Sequence, residues 1–185
     1  MSIATESQRR ILTTHVGSLP RPDSLSAFMV AHMDGQKVDA AKYADAVKRA
    51  VVDCVAYQID NGIDIVSDGE QSKPSFYAYV HQRLGGIQRR KGSPQGRTHT
   101  KELDAFPDFY TAGHSGTQPA GFECIGPMTY AGTDLLKTDL DNLKAALAGR
   151  KPVDVFIPAA SVATVEGPAV DRHYNNEEAY LAAIE

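Results

Sequence analysis

The chain has 185 residues, enough for one domain of ordinary size or for part of a larger one. Hydrophobic residues make up 42% and charged residues 23%, a balance that argues against disorder. The net charge of -4 leaves no basic surplus for a phosphate backbone, so nucleic acid is not an expected partner.

Residues 1–10 lack the apolar core of a secretory signal, and no stretch approaches the roughly 18 consecutive apolar residues of a membrane span. The expected location is the cytoplasm. Residues 11–16 are β-branched and apolar enough for a buried strand, which Pro20 and Pro22 prevent from continuing. Asp23 can cap a short helix over 24–32, and Asp34-Gly35 breaks it. From Asp39 to about Asn61 the positions Val47, Ala50, Val51, Cys54, Val55 and Ile59 follow helical spacing, with Gly62 as terminator. Residues 63–66 read as the next strand. Strand, helices and strand within one sheet imply parallel pairing and a right-handed crossover.

Residues 81–123 interrupt the alternation with glycines, prolines and cations, including Arg83, Arg89, Arg90, Lys91, Arg97 and Lys101. This segment reads as an inserted loop or hairpin, either a solvated excursion or a flap whose cations meet an anionic substrate. Regular structure resumes at 122–130. A helix from Thr133 or Asp134 should carry Leu136, Leu140, Leu143 and Leu147 on one face and end at Gly149. Residues 153–157 form the third core strand, followed by Pro158-Ala-Ala-Ser161. Asn175 or Asn176 caps a last helix over 177–185, within which the sequence stops. Three core strands cannot close an eight-stranded barrel, so a truncated domain with missing chain or partner surface is the expectation.

In parallel α/β folds the loops after the strands form the active face, on which His15, Ser18, Asp68 and Glu70 can converge as candidate binding residues, with Ser161 at the end of a later strand. Glu70 is the most pointed of these: a carboxylate after glycine at a strand end has no packing reason to be there, which favours substrate contact over a structural ion pair. Ser18 can bind a ligand or cap a turn. His15 can lie against a substrate or bond a neighbouring carboxylate, and Asp68 reads as a supporting turn residue. Pro158 and Ser161 read as pocket wall. Arg21, between two prolines, reads as a solvated loop arginine ahead of one that meets a carboxylate, and Tyr77 and Tyr79 as core aromatics. Cys54 and Cys124 lack paired spacing and read as small buried hydrophobes. His15, Asp68 and Glu70 lack a second nearby histidine and do not read as a metal cluster.

His15-Val-Gly-Ser-Leu-Pro-Arg-Pro22, Ser67-Asp-Gly-Glu70, Gly126-Pro-Met-Thr-Tyr-Ala-Gly132 and Phe156-Ile-Pro-Ala-Ala-Ser161 together resemble the first part of the catalytic barrel of cobalamin-independent methionine synthase and its short-form relatives. The resemblance implies a TIM (β/α)8 barrel, here truncated after the third core strand, spanning residues 1–185. It implies methyl transfer from methyltetrahydrofolate to homocysteine, whose thiol zinc holds as thiolate. It assigns the Gly17-Ser18 turn to the amino-acid carboxylate and Glu70 to the ammonium. The family's zinc site uses a histidine and a cysteine one residue apart, a glutamate and a further cysteine on later strands. No histidine here, from His15 to His173, has a cysteine two positions on, so the zinc ligands are expected to be absent from this chain. Some relatives alkylate other thiols such as coenzyme M. Two alternatives stand beside the methyltransferase: a non-catalytic fragment that oligomerises through unpaired sheet edges, and a decarboxylase of the uroporphyrinogen type, for which only Arg9, Arg10 and Arg21 speak.

Overall fold

A computed structural model describes residues 3–33, 36–76, 78–90, 101–108, 121–167 and 169–185. In chain order its elements are α1 (Ile3–Ser7), α2 (Asp23–Met33), α3 (Ala40–Asp60), β1 (Ile65–Ser67), α4 (Ala78–His81), β2 (Leu84–Arg89) and α5 (Lys101–Ala105). There follow β3 (Phe122–Tyr130), α6 (Thr133–Ala146), β4 (Asp154–Phe156), α7 (Val162–Glu166), β5 (Ala169–Asp171) and α8 (Glu177–Ile184). The chain is thus α/β, and it divides into two compact units, residues 1–76 with 132–159, and residues 77–131 with 160–185. No described helix is long and apolar enough to cross a membrane.

The first unit is built around α3. Asp39 caps it, its carboxylate accepting from the backbone N–H groups of Ala41 and Lys42. Gly62, at φ +78°, turns the chain out of the helix and into β1. The buried face of α3 runs Ala46, Val47, Ala50, Val51, Cys54, Val55 and Gln58, the expected stripe with one polar residue at its end. Leu25 and Met29 of α2, Val66 of β1, and Leu143 and Ala146 of α6 close the core against it. Each fully buried aliphatic side chain there contributes about 1.5–3 kcal/mol relative to exposure.

β1 pairs with β4 in parallel, Val66 opposite Val155, and Thr14 forms a parallel bridge to Ile65 on the other side. The strand expected over 11–16 shrinks to that bridge. Ile11 is 92% and Val16 70% exposed. Polar bonds replace the expected apolar burial: Asp64 accepts from the Thr13 amide, and the Thr14 hydroxyl donates to the Ile65 carbonyl. The leucine stripe of α6 also holds only in part. Leu143 is buried, but Leu136 and Leu140 are exposed, because the inward face runs Asp139, Leu143 and Ala146.

In the second unit β2 pairs antiparallel with β3, and β5 pairs parallel with β3, in the order β2-β3-β5. A bulge between Gly85 and Ile87 requires glycine at 86: its φ is +78°, and a Cβ there would lie 2.4 Å from the Pro127 carbonyl oxygen. His81 stacks on Phe122 with ring centroids 3.8 Å apart, and the Arg83 guanidinium lies over the Tyr79 ring. Arg83 is therefore a buried structural cation rather than a solvated one. Lys91, Arg97, Tyr77 and the Asp34-Gly35 breaker lie outside the described residues. Tyr79 is buried, and its hydroxyl accepts from the Ala160 amide.

Candidate substrate site after the first strand

The end of β1 runs directly into a buried polar turn, Ser67 to Lys73. Gln58 fixes its start, accepting from the Ser67 amide and donating to the Ser67 carbonyl at 2.8 Å. Gly69 follows at φ +59°, where a Cβ would collide with the Cys54 sulfur at 2.3 Å. Glu70 then adopts φ +55°. For a residue with a long side chain this left-handed conformation costs on the order of 1–2 kcal/mol, and it persists only where its surroundings enforce it. The Glu70 amide donates to the Asp68 carboxylate, and the Glu70 carbonyl accepts from the Lys73 amide.

The loop after Thr14 lies across this turn. The Ser18 hydroxyl donates to the Glu70 carboxylate at 2.5 Å, and the Leu19 amide donates to the Gly69 carbonyl. Gln71 reaches back to the Leu19 carbonyl. Gly17, at φ +101°, has open space where a Cβ would stand. His15 is half-buried, and its Nε2 has no hydrogen-bond partner among the described residues. The structure thus joins Ser18 to Glu70 directly and brings Gly17 and Asp68 in beside them through the same two segments.

Charge is concentrated here. Asp68, Glu70 and Lys73 are all buried, Lys73 to 1% exposure. The Lys73 ammonium donates to the Pro158 carbonyl at 2.8 Å and stands 3.9 Å from Asp68. Burial pushes the Asp68 carboxyl above its ordinary range, against the pull of Lys73 and of the Glu70 amide. The hydrogen-bond partner of the Glu70 carboxylate among the described residues is a neutral hydroxyl.

Three residues play roles that the sequence did not disclose. Arg21 is not a solvated loop arginine: its Nη2 donates to the Glu70 carbonyl at 2.8 Å and the Lys73 carbonyl at 2.6 Å. Its guanidinium is half-buried, and desolvation lowers its pKa against the field of Glu70. Lys73 and Gln58 are the others, and Gln58 left a trace, being a polar residue on the apolar face of a long helix. Ser161, by contrast, belongs to the second unit, where its hydroxyl caps α7 by accepting from the Thr164 amide.

The fold and the site together define an α/β chain with a buried, charged turn at the carboxyl end of a parallel strand. Residues 11–95, which contain the Ser18 loop and the whole Glu70 turn, match the family model for the catalytic domain of cobalamin-independent synthase. Over 75 residues the chain is 30% identical to the 5-methyltetrahydropteroyltriglutamate–homocysteine methyltransferase of Mycobacterium leprae, covering 40% of this chain and 10% of that protein. It is 35% identical, also over 75 residues, to the methionine synthase of Sulfolobus acidocaldarius, covering 22% of it. The solved structure of a B12-independent methionine synthase from Shewanella sp. W3-18-1, in complex with selenomethionine, superposes on 92% of this chain with a TM-score of 0.59. At 20% identity that likeness is one of fold, and it takes in 44% of the other chain. The similarity to cobalamin-independent methionine synthases thus lies in residues 11–95, a little under half of the chain. The chain spans less than half the length of the relatives it matches.

Zinc, which the sequence resemblance implies for a complete relative, does not fit the residues described. No group of three histidine, cysteine or acidic side chains among them is placed to hold a metal ion. Cys54 and Cys124 are both buried, and burial pushes the Cys54 thiol up to about 11, against a hydrogen bond from Gln58. A thiol so disposed resists becoming the thiolate that zinc requires.

Proposed function

We propose that this chain is the first part of a methionine-synthase-type TIM barrel and that it holds the amino-acid end of homocysteine during methyl transfer from a methylated folate. The observation that carries this reading is the Glu70 carboxylate, buried, set on a left-handed backbone, and hydrogen-bonded by Ser18 at 2.5 Å. A buried carboxylate facing a neutral partner is a receptor for an ammonium group. An arriving ammonium takes the place of the Ser18 hydroxyl on Glu70. That hydroxyl then turns to the substrate carboxylate together with a backbone N–H of the Gly17-Ser18 turn.

These residues position the substrate and move no proton. Their contribution is to fix the carbon skeleton so that the sulfur lies in line with the methyl carbon it attacks. His15 borders the Ser18 loop, and Asp68 supports Glu70 through its amide. No step is assigned to zinc on this chain. The Glu70 charge favours an acceptor that carries an ammonium over a purely anionic thiol such as coenzyme M.

Calorimetry with homocysteine tests the reading. Glu70→Gln removes the charge and keeps the shape, and the affinity is expected to fall about tenfold or more, as for loss of a charge-assisted hydrogen bond. Unchanged affinity would refute the role of Glu70.

A further inference from the structure

We infer that Arg21 is a positioning residue that sets the direction of the Glu70 carboxylate by clamping the backbone carbonyls at both ends of the turn from Glu70 to Lys73. This role rests on the reading of Glu70 as the ammonium partner and deepens it.

The geometry is specific. One guanidinium nitrogen, Nη2, donates to the Glu70 and the Lys73 carbonyls, and it stands 3.5 Å from the Ser18 hydroxyl. The Lys73 amide already donates to the Glu70 carbonyl, so Arg21 supplies a second donor to that oxygen. The Glu70 amide is held from the other side by Asp68. With both its peptide groups fixed, Glu70 keeps the left-handed conformation that points its side chain at Ser18. Asp68 and Lys73 belong to the same turn, whereas Arg21 comes from the substrate loop, 49 residues away in sequence.

Arg21 is itself well anchored. Pro20 and Pro22 fix the backbone on either side of it. The Pro22 carbonyl accepts from the Leu25 and Ser26 amides at the start of α2, and Leu25 is fully buried in the core. The clamp thus ties the Glu70 turn to a rigid element instead of to a free loop. A lysine at this position keeps several donors at similar reach, while a methionine keeps only the apolar stem.

The test uses the full chain with Arg21→Met, Arg21→Lys and Arg21→Gln, the last a milder loss should the methionine variant fail to fold. In Arg21→Met the Glu70 13Cα and 13Cβ chemical shifts are expected to leave the left-handed range, and in Arg21→Lys to remain in it. Homocysteine affinity of Arg21→Met should drop about tenfold, while 4-sulfanylbutanoate, the same thiol acid without the ammonium, binds as to the parent chain. Left-handed Glu70 shifts in both the Met and Gln variants would overturn the inference, as would equal losses for the two thiols. If the parent chain binds neither thiol, the homocysteine reading fails, and the chemical shifts alone decide whether Arg21 clamps the turn.

Discussion

Among the described residues two turns carry a non-glycine residue in the left-handed region, Glu70 after β1 and Asn175 before α8, and they are held in opposite ways. Asn175 is exposed, and its bonds are local. Its amide donates to Asp171, its side chain to the His173 carbonyl, and its neighbour Asn176 caps α8. Asparagine adopts this conformation readily, so the turn before α8 explains itself. Glu70 is buried, is a residue type that avoids the conformation, and takes contacts from Ser18 and Arg21 some fifty residues away. Strain maintained by distant parts of the chain marks a position where something other than local folding sets the geometry.

The sharpest way to break this comparison is to remove the cation that closes the buried turn. Lys73→Met leaves Asp68 without its counter-charge and the Pro158 carbonyl without that donor in a nearly dry setting, and such a loss costs about 3 kcal/mol or more. Urea unfolding measures it, and a loss below 1 kcal/mol would show that the turn is not held by its charges. In the second turn the corresponding change is smaller. Asn175→Ala keeps the loop but places alanine at φ +50°, for an expected cost of about 1 kcal/mol, and Asn175→Gly should be close to neutral. A costly glycine variant would mean that the Asn175 side chain, rather than its backbone, matters there.

What could be read from the sequence divides along the same line. The caps Asp39 and Asn176, the terminator Gly62 and the buried stripe of α3 are local patterns, and each stands where its spacing places it. So does the meeting of Ser18 with Glu70, which follows from both segments ending at the carboxyl side of parallel strands. The failures are tertiary. Residues 11–16 have the composition of a buried strand, yet a strand needs neighbours on its faces, and Thr13 and Thr14 bond to Asp64 and Ile65 instead. Leu136 and Leu140 share a face of α6 that the described core does not cover, while Asp139 turns inward. Arg21 reads as loop because nothing in a Pro-Arg-Pro run announces two carbonyls waiting fifty residues downstream.

The smallest expected effect separates the turns by pH. Burial raises the Asp68 carboxyl, so between the ordinary value of about 3.9 and its folded value the native chain binds more protons than the unfolded one. Asp68 therefore lowers stability progressively as pH climbs through that window, and Asp68→Asn should flatten the decline while still accepting from the Glu70 amide. For Asp171 burial also pushes upward, but the amides of Tyr174, His173 and Asn175 outweigh it and hold the carboxyl below its ordinary range. Its contribution is complete above about pH 4 and disappears as pH falls through the folded value, a loss that Asp171→Asn should abolish. The two slopes lie on opposite sides of the same reference value, so urea unfolding from about pH 2 to about pH 7 resolves them in one series. If both variants altered the same acidic limb, the Asp68 turn would be no more desolvated than the Asp171 turn, and the contrast between a local turn and an enforced one would lose its electrostatic half.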